Sequence, residues 1–238
     1  MISGQAKIAV ITGAGKGIGR ALVKKFINEG YSVVGFVRTN SQRDELEKDF
    51  SFKVTPVVCD LLSEESIIEA EKFIKGFSQI DVLINNAGVA GSGSSINKLD
   101  FSHLNKVLNT NCLGAMRVTE ICIPLLLKSE SPRVINISSR FGSLSKVSSG
   151  ELSSNTSYSY RISKAALNMF TACLSQEFSK TKMKIVSIHP GLVNTGLINH
   201  VDGIRPDESA EKLYAVISDY DSLKSGTFLD NNSNEIYW

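Results

Sequence analysis

Cysteine is scarce and scattered in this sequence. Its four cysteines, Cys59, Cys112, Cys122 and Cys173, form no CxxC pair and join no Cys/His cluster. That excludes a disulfide scaffold and a zinc site of ordinary spacing, and leaves free thiols in a reducing compartment as the expectation. Histidine is scarcer still: His103, His189 and His200 lack metal-ligand spacing, so no metal is expected. Neither sign of charge dominates, because 26 Lys and Arg face 24 Asp and Glu for a net charge of +2. Such a balance supplies no field for nucleic acid or an anionic membrane. No apolar run approaches the ~20 residues of a membrane span, and the N-terminus shows neither a signal-peptide h-region nor a small-residue cleavage site. These absences predict a soluble cytoplasmic protein with no nucleic-acid or membrane partner. What remains is ordinary globular material, 42% apolar and 21% charged, which excludes a disordered, collagen-like or coiled-coil chain.

Short β-branched bursts alternate with amphipathic stretches along the whole chain. Bursts at Ile8–Thr12, Tyr31–Val37, Val54–Val58, Val82–Ile84, Val134–Ile137 and Lys184–Ile188 read as strands, with a short last strand near Gly226–Leu229. Helices are predicted over residues 18 to 29, from Ser63 to about Phe77, and at about 101 to 128, 158 to 180 and 207 to 218. Continuous apolar strands separated by helices mean right-handed crossovers and a sheet buried on both faces. The expectation is a single Rossmann-type, doubly wound α/β domain spanning residues 1–238, its mostly parallel seven-stranded sheet flanked by helices on both faces. Ligands of such a sheet sit beyond the carboxyl ends of the strands. Two polar segments follow strands there: residues 91 to 97, and residues 138 to 159 with ten serines in 22 positions. Both are predicted as surface loops.

The first strand runs into Thr12-Gly13-Ala14-Gly15-Lys16-Gly17-Ile18-Gly19 and then into a helix. Glycines permit a tight turn and let a diphosphate reach backbone N–H groups at the helix N-terminus. The spacing is neither GxGxxG nor a P-loop. Gly13, Lys16, Gly17, Ile18 and Gly19 are the expected cofactor contacts. An acid at the end of the second strand would hold adenosine ribose hydroxyls, but that strand ends Phe36-Val37-Arg38-Thr39-Asn40. Arg38 can fork onto a 2′-phosphate with Lys16 beside it, so NADP(H) is favoured over NAD(H). Asp60, after the third strand, fits either the adenine amine or a carboxylate at the following helix N-terminus, and Leu61 joins the cofactor residues. Further along, Tyr160 and Lys164 stand four residues apart on one helical face. A nearby cation favours phenolate and brings a phenol of pKa ~10 toward useful acid–base chemistry.

The glycine motif, Asn85-Asn86-Ala87-Gly88, Asn111, Ser139, Tyr160 with Lys164, and Pro190-Gly191 occur in that order. Together they resemble the short-chain dehydrogenase/reductase family from residue 7 to about 230. The resemblance implies roles residue by residue. Tyr160 would exchange a proton with the substrate oxygen, Lys164 would hydrogen-bond the nicotinamide ribose and lower the Tyr160 pKa, and Ser139 would stabilise the substrate oxygen. Ser138 competes for that last role, and Ser139 is favoured because it stands three residues before Gly142. Asn111 would position a water that relays protons to Lys164. Asn86, Ala87 and Gly88 would line the adenosine-side ribose, while Pro190, Gly191, Val193 and Thr195 would hold the nicotinamide. Tyr160 through Met169, the segment Ser225–Asp230 and the ending Glu235–Trp238 are similar to a carbonyl-reductase-like branch that includes sniffer and C-factor proteins. So is the gap of 20 residues between Ser139 and Tyr160.

The implied activity is NADPH-dependent reduction of a ketone or aldehyde, with a small-molecule carbonyl substrate under a short loop at about 196 to 205. An alcohol dehydrogenase working oxidatively and a non-catalytic nucleotide-binding signalling protein of C-factor type stay open as alternatives. So do a homo-oligomer, dimer or tetramer, and a monomer. His103, His189 and His200 are read as non-catalytic.

Overall fold

The computed structural model describes residues 6–152, 156–195 and 203–238. Most of the loop expected at about 196 to 205, including His200, lies outside the described residues. The elements run β1 (Ile8–Thr12), α1 (Gly17–Asn28), β2 (Ser32–Val37), α2 (Asn40–Phe50), β3 (Val54–Val58), α3 (Glu64–Ile74) and β4 (Val82–Asn85). They continue as α4 (Phe101–Leu108), α5 (Gly114–Leu126), β5 (Arg133–Ile137), α6 (Leu144–Ser148), α7 (Tyr158–Glu177), β6 (Lys184–His189), α8 (Pro206–Ser218) and β7 (Phe228–Asp230). The seven strands form one sheet in the order β3-β2-β1-β4-β5-β6-β7, every neighbouring pair parallel.

Side chains alternate across this sheet and divide the core in two. Ala9 and Ile11 of β1 pack toward α1 and α8 through Leu22, Phe26, Leu213 and Ile217. Ile8 and Val10 face the opposite way, toward Ile67 and Ile74 of α3, Val118 and Cys122 of α5, and Leu174 of α7. Strand order reverses at β1, which pairs with β2 on one side and β4 on the other. The loops beyond β1 and β4 therefore diverge, and the space between them is where a ligand fits. No helix of the described residues is long and apolar enough to cross a membrane.

Three features depart from the sequence reading. Residues 40 to 50 form α2, a helix that the apolar pattern does not reveal because Leu46 is its only buried residue. It is held instead by Thr39, whose side chain accepts a hydrogen bond from Gln42 N. The helix expected at about 101 to 128 contains a π-helical segment, Asn109–Leu113, between α4 and α5. The serine-rich stretch is no simple surface loop: Ser138, Ser139, Ser143 and Ser159 are buried, and the stretch includes a 3₁₀ turn at Arg140–Gly142 and α6. Serine is tolerated there because its hydroxyl finds partners, as in the 2.6 Å bond from Ser138 Oγ to Asn168 Oδ1.

Candidate active site

The turn after β1 is shaped by contacts that leave no room for a side chain. Gly13 and Gly17 adopt φ of +67° and +55°, the left-handed region that glycine enters at least cost. Gly19 is fixed by crowding, since a Cβ there would lie 2.1 Å from the Gly13 carbonyl oxygen and 2.5 Å from Asn86 Nδ2. Thr12 and Asn86 fasten the turn to the end of β4. Thr12 Oγ1 accepts from the backbone N–H groups of Asn86 and Ala87, both at 3.0 Å. In return Asn86 Nδ2 donates to the Thr12 carbonyl at 2.9 Å. The N-cap residue of α1, Lys16, makes no side-chain capping bond, and the first N–H groups of any helix lack intrahelical partners.

That crevice has a volume of about 670 Å³, within the range of small-molecule sites. Gly13, Lys16, Gly17, Ile18 and Gly19 line one end, together with Arg38, Asp60 and Leu61. Asn86, Ala87 and Gly88 line it as well, as do Tyr160, Lys164 and Pro190, while Thr195 lies against Gly17. Gly191 and Val193 lie just beyond, around an adjoining cavity of about 80 Å³ shared with Ser139, Tyr160 and His189. Asn111 lines neither space. Asp60 does two things: it lines the crevice, and its Oδ1 accepts the Leu62 N–H at 3.0 Å in the turn leading to α3.

Gln42 was invisible to motif reading. Its Oε1 accepts the Arg38 N–H at 3.1 Å, and its side chain covers Gly15, where a Cβ would meet Gln42 Cδ at 2.7 Å. The signal that could have found it is the Thr39 cap, which starts α2 and turns Gln42 back over the glycines. Lys106 and Thr110 of the α4 region also line the crevice without any motif to announce them.

At the other end, buried side chains meet. Lys164 is 4% exposed; its Nζ donates to the Ile137 carbonyl at 2.7 Å and lies 5.8 Å from the Tyr160 ring centroid. Burial brings its pKa down to about 8, with the Cys112 thiol opposing the shift. Tyr160 is pushed up from its ordinary value by burial, and a side-chain hydrogen bond with Ser139 pulls it part of the way back. The phenol is therefore a neutral acid in this structure; the lowering expected from Lys164 is not seen, and Ser139 supplies what lowering there is. Ser139, not Ser138, reaches the tyrosine, because Ser138 is engaged with Asn168 and Asn168 in turn with the Gly142 carbonyl.

Asn111 sits in the π-helical segment and ties the walls together. Its Oδ1 accepts the Val89 N–H at 2.8 Å, while Nδ2 donates to the Val89 carbonyl at 3.1 Å and to Ser163 Oγ at 3.0 Å. The extra residue of a π turn aims this amide across to α7. Beneath the site a buried polar ladder crosses the sheet. Asn85 Nδ2 donates to Asn136 Oδ1 at 2.9 Å, Asn136 Nδ2 donates to Thr171 Oγ1 at 2.8 Å, and Thr171 bonds Ser187 at 2.8 Å. His189, at the end of β6, is held near pKa 4 chiefly by burial and then by the positive Arg140, so its imidazole is neutral. Among the described residues no cluster of three His, Cys, Asp or Glu could hold a metal. His103 lines neither cavity.

Chemically, the arrangement can do two things. The glycine turn, the uncapped helix and the cations Lys16 and Arg38 suit a dinucleotide phosphate chain. The adjoining phenol, hydroxyl and buried ammonium suit proton exchange with an oxygen atom.

Comparison with known proteins gives the family. The family model for short chain dehydrogenases matches residues 7–203. An uncharacterized oxidoreductase of Staphylococcus epidermidis is 31% identical over 197 residues, which cover 82% of each chain. The C-signal protein of Myxococcus xanthus is 33% identical over 159 residues, 67% of this chain and 93% of that one. Among solved structures, the NADPH-bound carbonyl reductase from chicken fatty liver superposes with a TM-score of 0.85 at 26% identity, over 98% of this chain and all of that one. The carbonyl reductase Sniffer of D. melanogaster does so with a TM-score of 0.88, also at 26% identity and with the same coverage.

Proposed function

The chain belongs to the short-chain dehydrogenase family of oxidoreductases, and on that premise we propose that it is an NADPH-dependent reductase converting a ketone or aldehyde to an alcohol. The carrying observation is one meeting of side chains: Tyr160, bonded to Ser139 and standing over buried Lys164, where the crevice from the glycine turn ends. The residues present fit the cofactor. A Cβ at Gly13 or Gly19 would break the packing of the turn against Asn86 and Ala87, and the exposed cations Lys16 and Arg38, which both line the crevice, suit a 2′-phosphate. NADPH, when bound, supplies a hydride to the carbonyl carbon.

This chain's own residues handle the oxygen. Ser139 and the Tyr160 hydroxyl hold the carbonyl oxygen in the adjoining cavity. As the carbon–oxygen π bond breaks, Tyr160 gives its proton to that oxygen and is left as phenolate. Lys164 stabilises the phenolate, and its pKa of about 8 leaves it able to pass a proton back near neutrality. Asn111 acts at one remove, holding Val89 and α7 in register, with a second lone pair on Oδ1 for the expected water. His189 stays neutral and aside.

The test is a panel of ketones and aldehydes followed at the nicotinamide absorbance, with NADPH and NADH run in parallel. Reduction with NADPH in clear preference to NADH is the expected result. Tight NADPH binding with no turnover of any carbonyl, in either direction, would overturn the reductase reading and leave a nucleotide-binding protein.

A further inference from the structure

Lys16 and Arg38 share their corner of the crevice with a third polar side chain. The Ala14 N–H donates to the Phe36 carbonyl at 3.0 Å, which sets the glycine turn beside the end of β2. Gln42, in the first turn of α2, lines the crevice at the same place. A Cβ on Gly15 would meet its Cδ at 2.7 Å, and its Oε1 accepts the Arg38 N–H at 3.1 Å. An N–H demands an acceptor, so that bond fixes which way the amide is turned. Nε2 is the free end, and it donates to no acceptor among the described residues.

The side chains of this corner therefore offer donors: the Lys16 ammonium, the Arg38 guanidinium and the Gln42 amide nitrogen. The acids of α2 turn elsewhere, since Asp44 meets Arg43, Asp49 meets Arg20 and Glu45 accepts from Ser41. Asp60 is the only carboxylate among the described residues lining the crevice, and it follows β3, not β2. A ribose hydroxyl gives its proton to an acceptor, whereas a phosphate takes donors. We infer that Gln42 is a third residue for the cofactor's 2′-phosphate, its Nε2 donating to a phosphate oxygen, and that its carboxamide helps to decide NADP(H) over NAD(H). Gln42 differs in kind from the two cations. It is neutral and held at two points, so it selects by the direction of an N–H bond and not by charge. The assignment rests on the cofactor half of the NADPH-dependent reading and on nothing at Tyr160.

Gln42→Glu is the sharpest test. It keeps the side-chain length, the cover over Gly15 and an acceptor for the Arg38 N–H, and exchanges the Nε2 donor for a negative oxygen. Fluorescence titration gives the affinities for NADPH and NADH, and calorimetry gives those for adenosine 2′,5′-bisphosphate and 5′-AMP. Gln42→Glu weakens NADPH by about a hundredfold and leaves NADH unchanged. Gln42→Met, which removes the donor without adding charge, weakens NADPH by about tenfold and again spares NADH. The two fragments repeat the pattern, the bisphosphate losing affinity and 5′-AMP keeping it. A thermal midpoint near that of the wild type establishes each variant as folded. Equal losses for both dinucleotides would mean that Gln42 only braces Gly15, and would overturn the inference. So would unaltered NADPH affinity in Gln42→Glu, a loss in Gln42→Glu with none in Gln42→Met, or a wild type that binds both dinucleotides alike. Fragment binding needs no turnover. A protein that binds NADPH and reduces nothing loses the reductase reading and still shows the Gln42 pattern, whereas a wild type that binds neither dinucleotide overturns the cofactor reading and this inference together.

Discussion

The two ends of the crevice are built on opposite principles. The glycine end is made by omission: missing Cβ atoms at Gly13 and Gly19, a helix start without a capping side chain, and the cations Lys16 and Arg38 left in solvent. The tyrosine end is made by accumulation. Lys164, Asn111, Ser139, Ser163 and Asn168 are all buried, each held by hydrogen bonds to another wall. A site made by omission is a matter of sterics and fails when any atom is added. A site made of buried polar groups is a network, and it fails when one partner is removed and another is left desolvated. The first recognises a ligand; the second sets the protonation of groups that act on one.

The contrast predicts unequal losses, and the largest falls at the tyrosine end. Tyr160→Phe deletes one oxygen, leaves the glycine cradle untouched, and is expected to lower kcat by about 10²- to 10⁴-fold, the span of general acid catalysis. NADPH affinity should hold in a fluorescence titration. If the variant turns over normally, the proton comes from elsewhere and the contrast loses its second half. Next comes Gly19→Ala, which sets a methyl against the Gly13 carbonyl oxygen at 2.1 Å, a backbone atom that has little freedom to give way. A loss of about 3 kcal/mol in urea-determined stability is expected from such overpacking, together with loss of NADPH binding. Gly17→Ala sharpens the point, because its nearest neighbour is Thr195 at 3.6 Å and only the +55° φ is strained. It should cost about 1 kcal/mol. Equal losses at both glycines would mean that conformation, not crowding, governs the turn.

A smaller effect belongs to the exposed cations. Arg38→Asp should weaken NADPH binding by about tenfold to a hundredfold, the worth of a charge-assisted contact, and weaken NADH binding much less. Because Arg38 lies on the surface, its thermal midpoint should stay near that of the wild type. An equal loss for both nucleotides would remove the 2′-phosphate assignment.

The same division explains what could be read from the chain. Omission leaves a literal trace, so the glycine spacing, the β-branched strands and the short last strand are legible, as is the Tyr160–Lys164 pair through its helical spacing. Networks leave little trace. Nothing in the pattern around residues 101 to 128 marks the π-helical segment that turns Asn111 toward Val89 and Ser163. Ten serines over residues 138 to 159 suggest a solvated loop, yet among the described residues four of them are buried because Asn168 and nearby backbone groups satisfy hydroxyls there. Helix α2 escapes notice because a cap and a single leucine hold it, and Gln42 goes unread with it. The acidity of Tyr160 is the plainest case: spacing gives proximity to Lys164, but only the folded surroundings show that burial raises the phenol and that Ser139, not Lys164, opposes it.

His189 stands where the tyrosine end gives way to the C-terminal strands, and it yields the smallest of these effects. Burial first, then the charge of Arg140, hold its pKa near 4, below the 6.5 of an exposed imidazole, while Asp230 opposes them. The folded midpoint lies below the unfolded one, so between pH 6.5 and pH 4 the unfolded chain binds more protons. Stability from this group is therefore complete above pH 6.5 and declines as pH falls through that window, by about 1 kcal/mol at pH 5.5. His189→Gln removes the titration while keeping a polar side chain. The difference in urea stability between wild type and variant should be flat above pH 6.5 and should shrink below it. Parallel curves down to pH 4.5 would show that the imidazole is solvated when folded, and that the buried network ends at Ser139 without reaching the end of β6.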